Sequence, residues 1–203
     1  MAAKKPAMAG PMRIPVVMLF AETRGFTRTS DMLEPAVVLA RIAEFFTLVQ
    51  TAVEGRGGIV RDVLNDTLAA SFGGDAGAKN SAMRAVEAAQ DIQREFAAFE
   101  ESWERDYGIR AAVAIGLHAG DAVIGDIGKP ALQQFIIGDS VSIAERLLHR
   151  ARAGEFVLSE PVMNGLATGE FALSAEELPP LAIPGREPIR LFGVVRDTRL
   201  DFT

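Results

Sequence analysis

The sequence predicts an α/β sandwich, with helices packed on a mixed, largely antiparallel sheet. Three observations predict it. Ile14 to Phe20 (IPVVMLF) is a continuous apolar run, the pattern of a strand covered on both faces. Gly58 to Phe72 places Ile59, Val60, Val63, Leu64, Leu68 and Phe72 around the polar cluster Asn65-Asp66-Thr67, as a β-hairpin would. Two long amphipathic segments fall between the strands, as helices that cover a sheet must.

Taken in order, the first strand ends in Glu22-Thr23-Arg24-Gly25-Phe26, where Gly25 allows a turn. Ser30 or Asp31 is placed to cap a helix with Glu34 and Pro35 in its first turn. From Ala36 to Val53 that helix repeats Val38, Ile42, Phe45, Val49 and Val53 at helical spacing. The central hairpin follows. A second long helix is expected from about Lys79 to Arg105, its buried side marked by Val86, Ala89, Ile92, Phe96, Phe99 and Trp103. Arg110 to His118 and Ala122 to Ile127 read as a second hairpin turning at Ala119-Gly120-Asp121. Leu132 to Ile137 reads as a strand, Ser140 to Arg152 as a third helix, Glu155 to Leu158 as a short strand and Glu160 to Ala167 as a small helix. The prolines from Leu178 to Gly185 argue against regular structure, and Ile189 to Val195 closes the fold as a strand.

Composition bounds the function. The 203 residues suit one domain, and 49% hydrophobic with 24% charged residues is the balance of a chain that fills a core. A formal net charge of −6 excludes a surface built throughout to hold nucleic acid. Without cysteine there are no disulfides and no thiolate metal sites, which fits the cytoplasm as the expected location. No apolar run in the sequence approaches the roughly 20 residues of a membrane helix. The start, MAAKKPAMAGPM, has no sustained apolar centre and is expected to be a flexible lead-in over residues 1–12, with the domain proper spanning 13–203.

Two acids stand at strand ends. Asp66 is expected at a hairpin tip, where aspartate is an ordinary turn-former, and Glu22 ends the first strand. If those strands are neighbours, the carboxylates converge as a site for a hard divalent cation, which takes few protein ligands and keeps room for phosphates. Spacing alone favours two solvated strand-end residues. In the third helix Ser142, Arg146 and Arg150 share one face, while Ile143, Leu147 and Ala151 form another. Arg146 suits bidentate phosphate binding, or an ion pair with Glu145. His118 and His149 form no ligand cluster and are read as structural.

Four stretches then occur in a telling order: LFAETRGFT (Leu19 to Thr27), NDTLAASFG (Asn65 to Gly73), AIGLHAGDAVIGDIG (Ala114 to Gly128) and IIGDSVSIAERL (Ile136 to Leu147). Together they resemble the class III nucleotidyl cyclase domain of adenylate and guanylate cyclases, over about Ile14 to Val195. The resemblance implies a ferredoxin-like α/β domain that pairs head to tail, with sites in clefts between subunits. It implies ATP or GTP as substrate, Mg²⁺ or Mn²⁺ as cofactor, and attack of the ribose 3′-hydroxyl on the α-phosphate to give cyclic nucleotide and pyrophosphate. One subunit would supply the metal acids, and the other the base-selecting residues, an asparagine and an arginine. A heterodimer would satisfy the same scheme.

Carried over residue by residue, the metal acids fall at Glu22 and Asp66, the transition-state arginine at Arg146, and the ribose-orienting asparagine at Ser142. The base-selecting positions fall at Asp62 and Phe135, and Thr23, Arg24, Gly25 and Phe26 take the phosphate-binding stretch. Several positions depart from the pattern. Glu22 stands for an aspartate and is longer by about 1.5 Å. Ionised Asp62 only accepts hydrogen bonds where the family has lysine or glutamate. Phe135 offers a stacking face and no hydrogen bond, and the late triphosphate-contacting lysine falls near Pro184. The resemblance therefore implies a cyclase-like domain of weak or absent turnover. A divergent metal-dependent adenylate cyclase and a regulatory pseudo-cyclase module stand as alternatives.

Overall fold

The computed structural model describes residues 10–74, 80–125, 135–167 and 173–195, apart from the side chains of residues 26–28. Its elements run β1 (Met12–Arg24), α1 (Phe26–Met32), α2 (Pro35–Gly55), β2 (Ile59–Leu64), β3 (Thr67–Gly73), α3 (Ser81–Tyr107), β4 (Ala112–Gly125), β5 (Phe135–Ile137), α4 (Asp139–Arg150), β6 (Glu155–Ser159), α5 (Glu160–Leu166), β7 (Glu176–Leu181) and β8 (Ile189–Val195). The sheet has the order β2-β3-β1-β4-β6-β8-β7, with β5 paired to β4 outside that path. All of its pairings are antiparallel except β4 with β6. This is the mixed, mostly antiparallel α+β architecture that the sequence predicts.

β1 is apolar throughout because both of its faces are covered. Val17, Leu19 and Ala21 enter one core with α2, α3 and α5, joined by Phe45, Phe96 and Trp103. Met18 and Phe20 enter the other, against Ile143, Leu147 and Leu148 of α4. In the first core Phe45 meets Phe96 edge to face at 6.1 Å, and Phe96 lies 4.9 Å from Phe99, spacings favoured by aromatic quadrupoles. The aromatic stripe of α3 is thus core, as its spacing predicts.

Several elements depart from expectation. Ser30 and Asp31 do not cap the long helix; they lie inside the short helix α1, and Glu34 takes the cap position before Pro35. β4 is one strand, not a hairpin: Ala119, Gly120 and Asp121 pair with Val17, Val16 and Pro15 of β1. Gly120 serves close packing, since a Cβ there would lie 2.5 Å from Ser140 Oγ at the start of α4. Pro179 and Pro180 sit within β7, in the irregularity between Leu178 and Leu181, on the sheet's edge. There their missing N–H groups break no ladder. α2, at 21 residues, is long and apolar enough to cross a membrane by length and composition alone. Its Val38, Ile42, Phe45, Val49 and Val53 are instead buried in the protein. Leu132 to Gln134 and most of the expected lead-in lie outside the described residues, and Met12 already belongs to β1.

α4 approaches the sheet closely at Gly116. A Cβ on that glycine would stand 2.2 Å from Leu148 N and 2.4 Å from Ala144 O. Those are backbone atoms, so only movement of the whole helix would relieve the clash. Gly116→Ala is expected to destabilise the fold by about 3 kcal/mol, the upper end of ordinary overpacking, measured by urea unfolding.

His118 lies mid-strand in β4, with Nδ1 2.8 Å from Ser159 Oγ of β6, and both residues are buried. Burial lowers its pKa from 6.5 to about 4. The unfolded state therefore takes up a proton first as pH falls. The stabilisation is fully present above pH 6.5 and is lost as pH drops toward about 4. The loss is expected to total about 3 kcal/mol. Unfolding free energies between pH 7 and pH 4, compared with those of His118→Gln, isolate it: the variant's profile should be flatter by that amount.

Candidate active site

The β2–β3 hairpin turns at Asn65-Asp66, with Leu64 and Thr67 paired across the loop. Asn65 adopts φ 55, a left-handed conformation that asparagine tolerates better than most residues. β3 in turn pairs with β1 so that Glu22 stands opposite Thr67, the residue after Asp66. Strand pairing thus brings both acids to one end of the sheet. Glu22 shares a face with Met18 and Phe20, the face that α4 covers.

A cavity of about 550 Å³ opens there. Glu22, Asp66, Asp62 and Phe135 all line it, so one protomer carries both metal-acid and both base-selecting positions on one cavity, where the resemblance implies that the base-selecting pair of a given site comes from the facing subunit. Ser142 and Arg146 do not line it. They are exposed on α4, and among the described residues their side chains make no hydrogen bond or ion pair within the protomer, Glu145 included.

The phosphate stretch is divided. Thr23 faces away from Glu22 by strand alternation and is buried, its hydroxyl without a hydrogen-bond partner among the described residues. Gly25, at φ 96, precedes α1, which Phe26 opens. Arg24 and Gly25 border a different cavity of about 410 Å³, beside Gln93 and Arg110. Arg24 itself is engaged: Nη1 donates to Glu22 Oε1 at 2.6 Å, and Nη2 donates to Leu148 O at 2.8 Å and Ala151 O at 3.1 Å. Thr67 Oγ1 makes a long contact of 3.5 Å to Glu22 Oε2.

Three cavity residues escape sequence reasoning. The β2 ladder slips between Val60 and Asp62, leaving Arg61 as the extra residue of a bulge. A bulge re-aims side chains, and here Arg61 and Asp62 both line the cavity. Arg61 Nε donates to Ser71 Oγ at 2.7 Å, and burial lowers its pKa from the usual arginine value. Glu145 and His149, four residues apart on α4, form the adjoining wall. Their i, i+4 spacing with Val141 is visible in the sequence, but the neighbouring Ser142, Arg146 and Arg150 face carries the stronger chemistry.

The lining is acidic, with Glu22, Asp62, Asp66 and Glu145 against Arg61 and His149. Among the described residues no group of three or more His, Asp or Glu side chains forms a metal cage. Glu22 and Asp66 still fit Mg²⁺ or Mn²⁺ by donor chemistry, since Mg²⁺ is commonly held by one or two carboxylates together with substrate phosphates.

Sequence and structure comparisons give the class. Residues 12–195 match the family model described as "Adenylate and Guanylate cyclase catalytic domain". The chain belongs to that family, the class III nucleotidyl cyclases. An adenylate cyclase of Anabaena cylindrica is 26% identical over 159 residues, which are 76% of this chain and 31% of that protein. Adenylate cyclase 1 of Rhizobium meliloti (strain 1021) is 28% identical over 134 residues, 65% of this chain and 20% of the relative. The chain thus spans a third or less of the length of these two relatives. Among solved structures, the adenylyl cyclase CyaB from P. aeruginosa superposes with a TM-score of 0.83 at 22% identity, covering 96% of this chain and all of that one. The guanylate cyclase domain of RhGC from Catenaria anguillulae in complex with GTP superposes at 0.78 with 20% identity, covering 92% and 98%. At such identities these likenesses speak to the fold.

Proposed function

We propose that this domain binds ATP or GTP with Mg²⁺ or Mn²⁺ and forms the cyclic nucleotide only weakly, as a head-to-tail dimer. The observation that carries the reading is the cavity itself: Glu22 and Asp66 share it, yet Glu22 already gives one carboxylate oxygen to Arg24 at 2.6 Å. A triphosphate entering this acidic cavity needs accompanying cations, and Glu22 and Asp66 are the residues that would hold them. Bound there, a divalent ion would neutralise phosphate charge. In the reaction the ribose 3′-oxygen bonds to the α-phosphorus, the bond from that phosphorus to the pyrophosphate oxygen breaks, and the hydroxyl proton passes to water. Arg146 of a facing protomer would stabilise the charge on the transferred phosphoryl group, and Ser142 would orient the ribose through a shorter side chain than asparagine.

Weak turnover follows from chemistry at named positions. The family's metal aspartate is replaced by Glu22, which Arg24 occupies in part. The base end offers Asp62 and Phe135 in place of a lysine and its polar partner. Each lost electrostatic contact is worth about 10²-fold in rate at comparable sites. The exposed apolar residues Ile59, Val63 and Leu64 of β2 and Phe135 and Ile137 of β5, of which Leu64 and Phe135 line the cavity, support a partner on this side of the domain, since exposed apolar groups collect where surfaces meet.

Three outcomes test this. Purified protein with ATP or GTP and Mn²⁺ should yield cyclic product slowly, and Asp66→Ala should abolish it. Glu22→Asp, Asp62→Lys, Phe135→Thr and Ser142→Asn combined should raise the rate by at least about 10²-fold, while a wild type as fast as the combined variant refutes the weak-turnover reading. Ile137→Glu and Leu64→Glu should each weaken self-association by about 2 kcal/mol, read by sedimentation velocity; an unchanged dimer constant, or a wild type monomeric at all concentrations, rejects the dimer.

A further inference from the structure

Arg24 joins two parts of the molecule that the sequence keeps far apart. One arm of its guanidinium holds Glu22 Oε1 at 2.6 Å; the other holds the carbonyls of Leu148 and Ala151 at 2.8 and 3.1 Å. Those carbonyls close the C-terminal end of α4, where the helix's partial negative charge collects. The pair is partly buried, with side-chain exposures of 29% for Arg24 and 15% for Glu22. At 2.6 Å it is a charge-assisted bond, stronger than a neutral one.

We propose that Arg24 is a positioning residue that competes with the divalent cation for Glu22, coupling cation binding to the anchoring of α4. The inference rests on the reading that Glu22 and Asp66 hold the metal. A cation held by Glu22 shares its carboxylate with a guanidinium hydrogen-bonded to Oε1 at 2.6 Å, and repulsion between the two positive charges weakens that bond as the ion binds. Arg24 then keeps its two carbonyls while the carboxylate balances its charge less fully. The end of α4 feels that change directly. The helix carrying Ser142 and Arg146 on its outer face, and Glu145 and His149 in the cavity, is therefore held differently with and without the ion. Glu22 thus does two tasks with one carboxylate, bonding Arg24 and lining the cavity.

The test uses Mn²⁺ alone, without nucleotide, followed by loss of the free-ion electron paramagnetic resonance signal as protein is added. Asp66→Asn should weaken binding by about tenfold or more. Arg24→Met should tighten it by about fivefold or more, because removing an adjacent positive charge favours a second cation at the same carboxylate. Arg24→Lys, whose single ammonium cannot serve Glu22 and two carbonyls together, should tighten it by less. A readout independent of any folding defect is the Arg24 guanidinium ¹⁵N resonance in the wild type, assigned through its loss in Arg24→Lys and expected to shift on saturation with Mg²⁺. Arg24 variants that bind Mn²⁺ as the wild type does or more weakly, or a guanidinium resonance that Mg²⁺ leaves unmoved, overturn the proposal while leaving the metal site standing. Mn²⁺ binding indifferent to Asp66→Asn rejects the metal site, and the proposal with it.

Discussion

Helix α4 rests on β4 with no side chain between them at Gly116, and much of the site depends on that approach. Bringing Ala144 and Leu148 onto the strand sets Val141, Glu145 and His149 as a cavity wall. It also lowers the last carbonyls of the helix to where Arg24 reaches them from the end of β1. Any larger residue at position 116 would lift the helix, and the wall and the anchor would move together. The site is therefore fixed by backbone packing as much as by its polar groups, in keeping with interiors that deform in steps and not continuously.

The second determinant is register. All 13 residues of β1 pair with β4, and β1 also carries β3 on its other side. With side chains alternating between faces, a slip of one residue would turn Glu22 toward the aromatic core and Thr23 toward the cavity. The two covered faces forbid that slip, because Met18 and Phe20 fill one core and Val17, Leu19 and Ala21 the other. An acid at the edge of a hydrophobic strand is thus aimed by the apolar residues before it.

Much of this was legible beforehand, and the failures have physical causes. The hairpin around Asp66, the strand ending near Glu22 and the long amphipathic helices follow from short-range patterns: period two, period 3.6 and an Asn-Asp turn. Gly120-Asp121 read as a turn because glycine beside aspartate usually marks one. There the glycine answers a close approach by Ser140, a long-range fact that no local pattern contains. The double proline of β7 misled for the same reason, since edge position is a property of the sheet and not of the segment. Arg61 was invisible because a bulge shifts the alternation by one, and only the paired strand reveals it. The occupation of Glu22 by Arg24 also required coordinates: a spacing of two on a strand places them on one face but does not show that they bond.

The prolines of β7 have one more consequence. The sheet ends at β7 on one side and at β2 on the other. On the β7 side, Pro179 and Pro180 offer no N–H groups to a visiting strand, and Arg150 Nη2 already takes the Pro179 carbonyl at 3.0 Å. On the β2 side, the bulge at Arg61 interrupts the regular row of edge groups. Both margins are therefore poor templates for lengthening the ladder with another chain. Copies of this domain that meet along either of these margins would do so through side chains and not through a shared ladder.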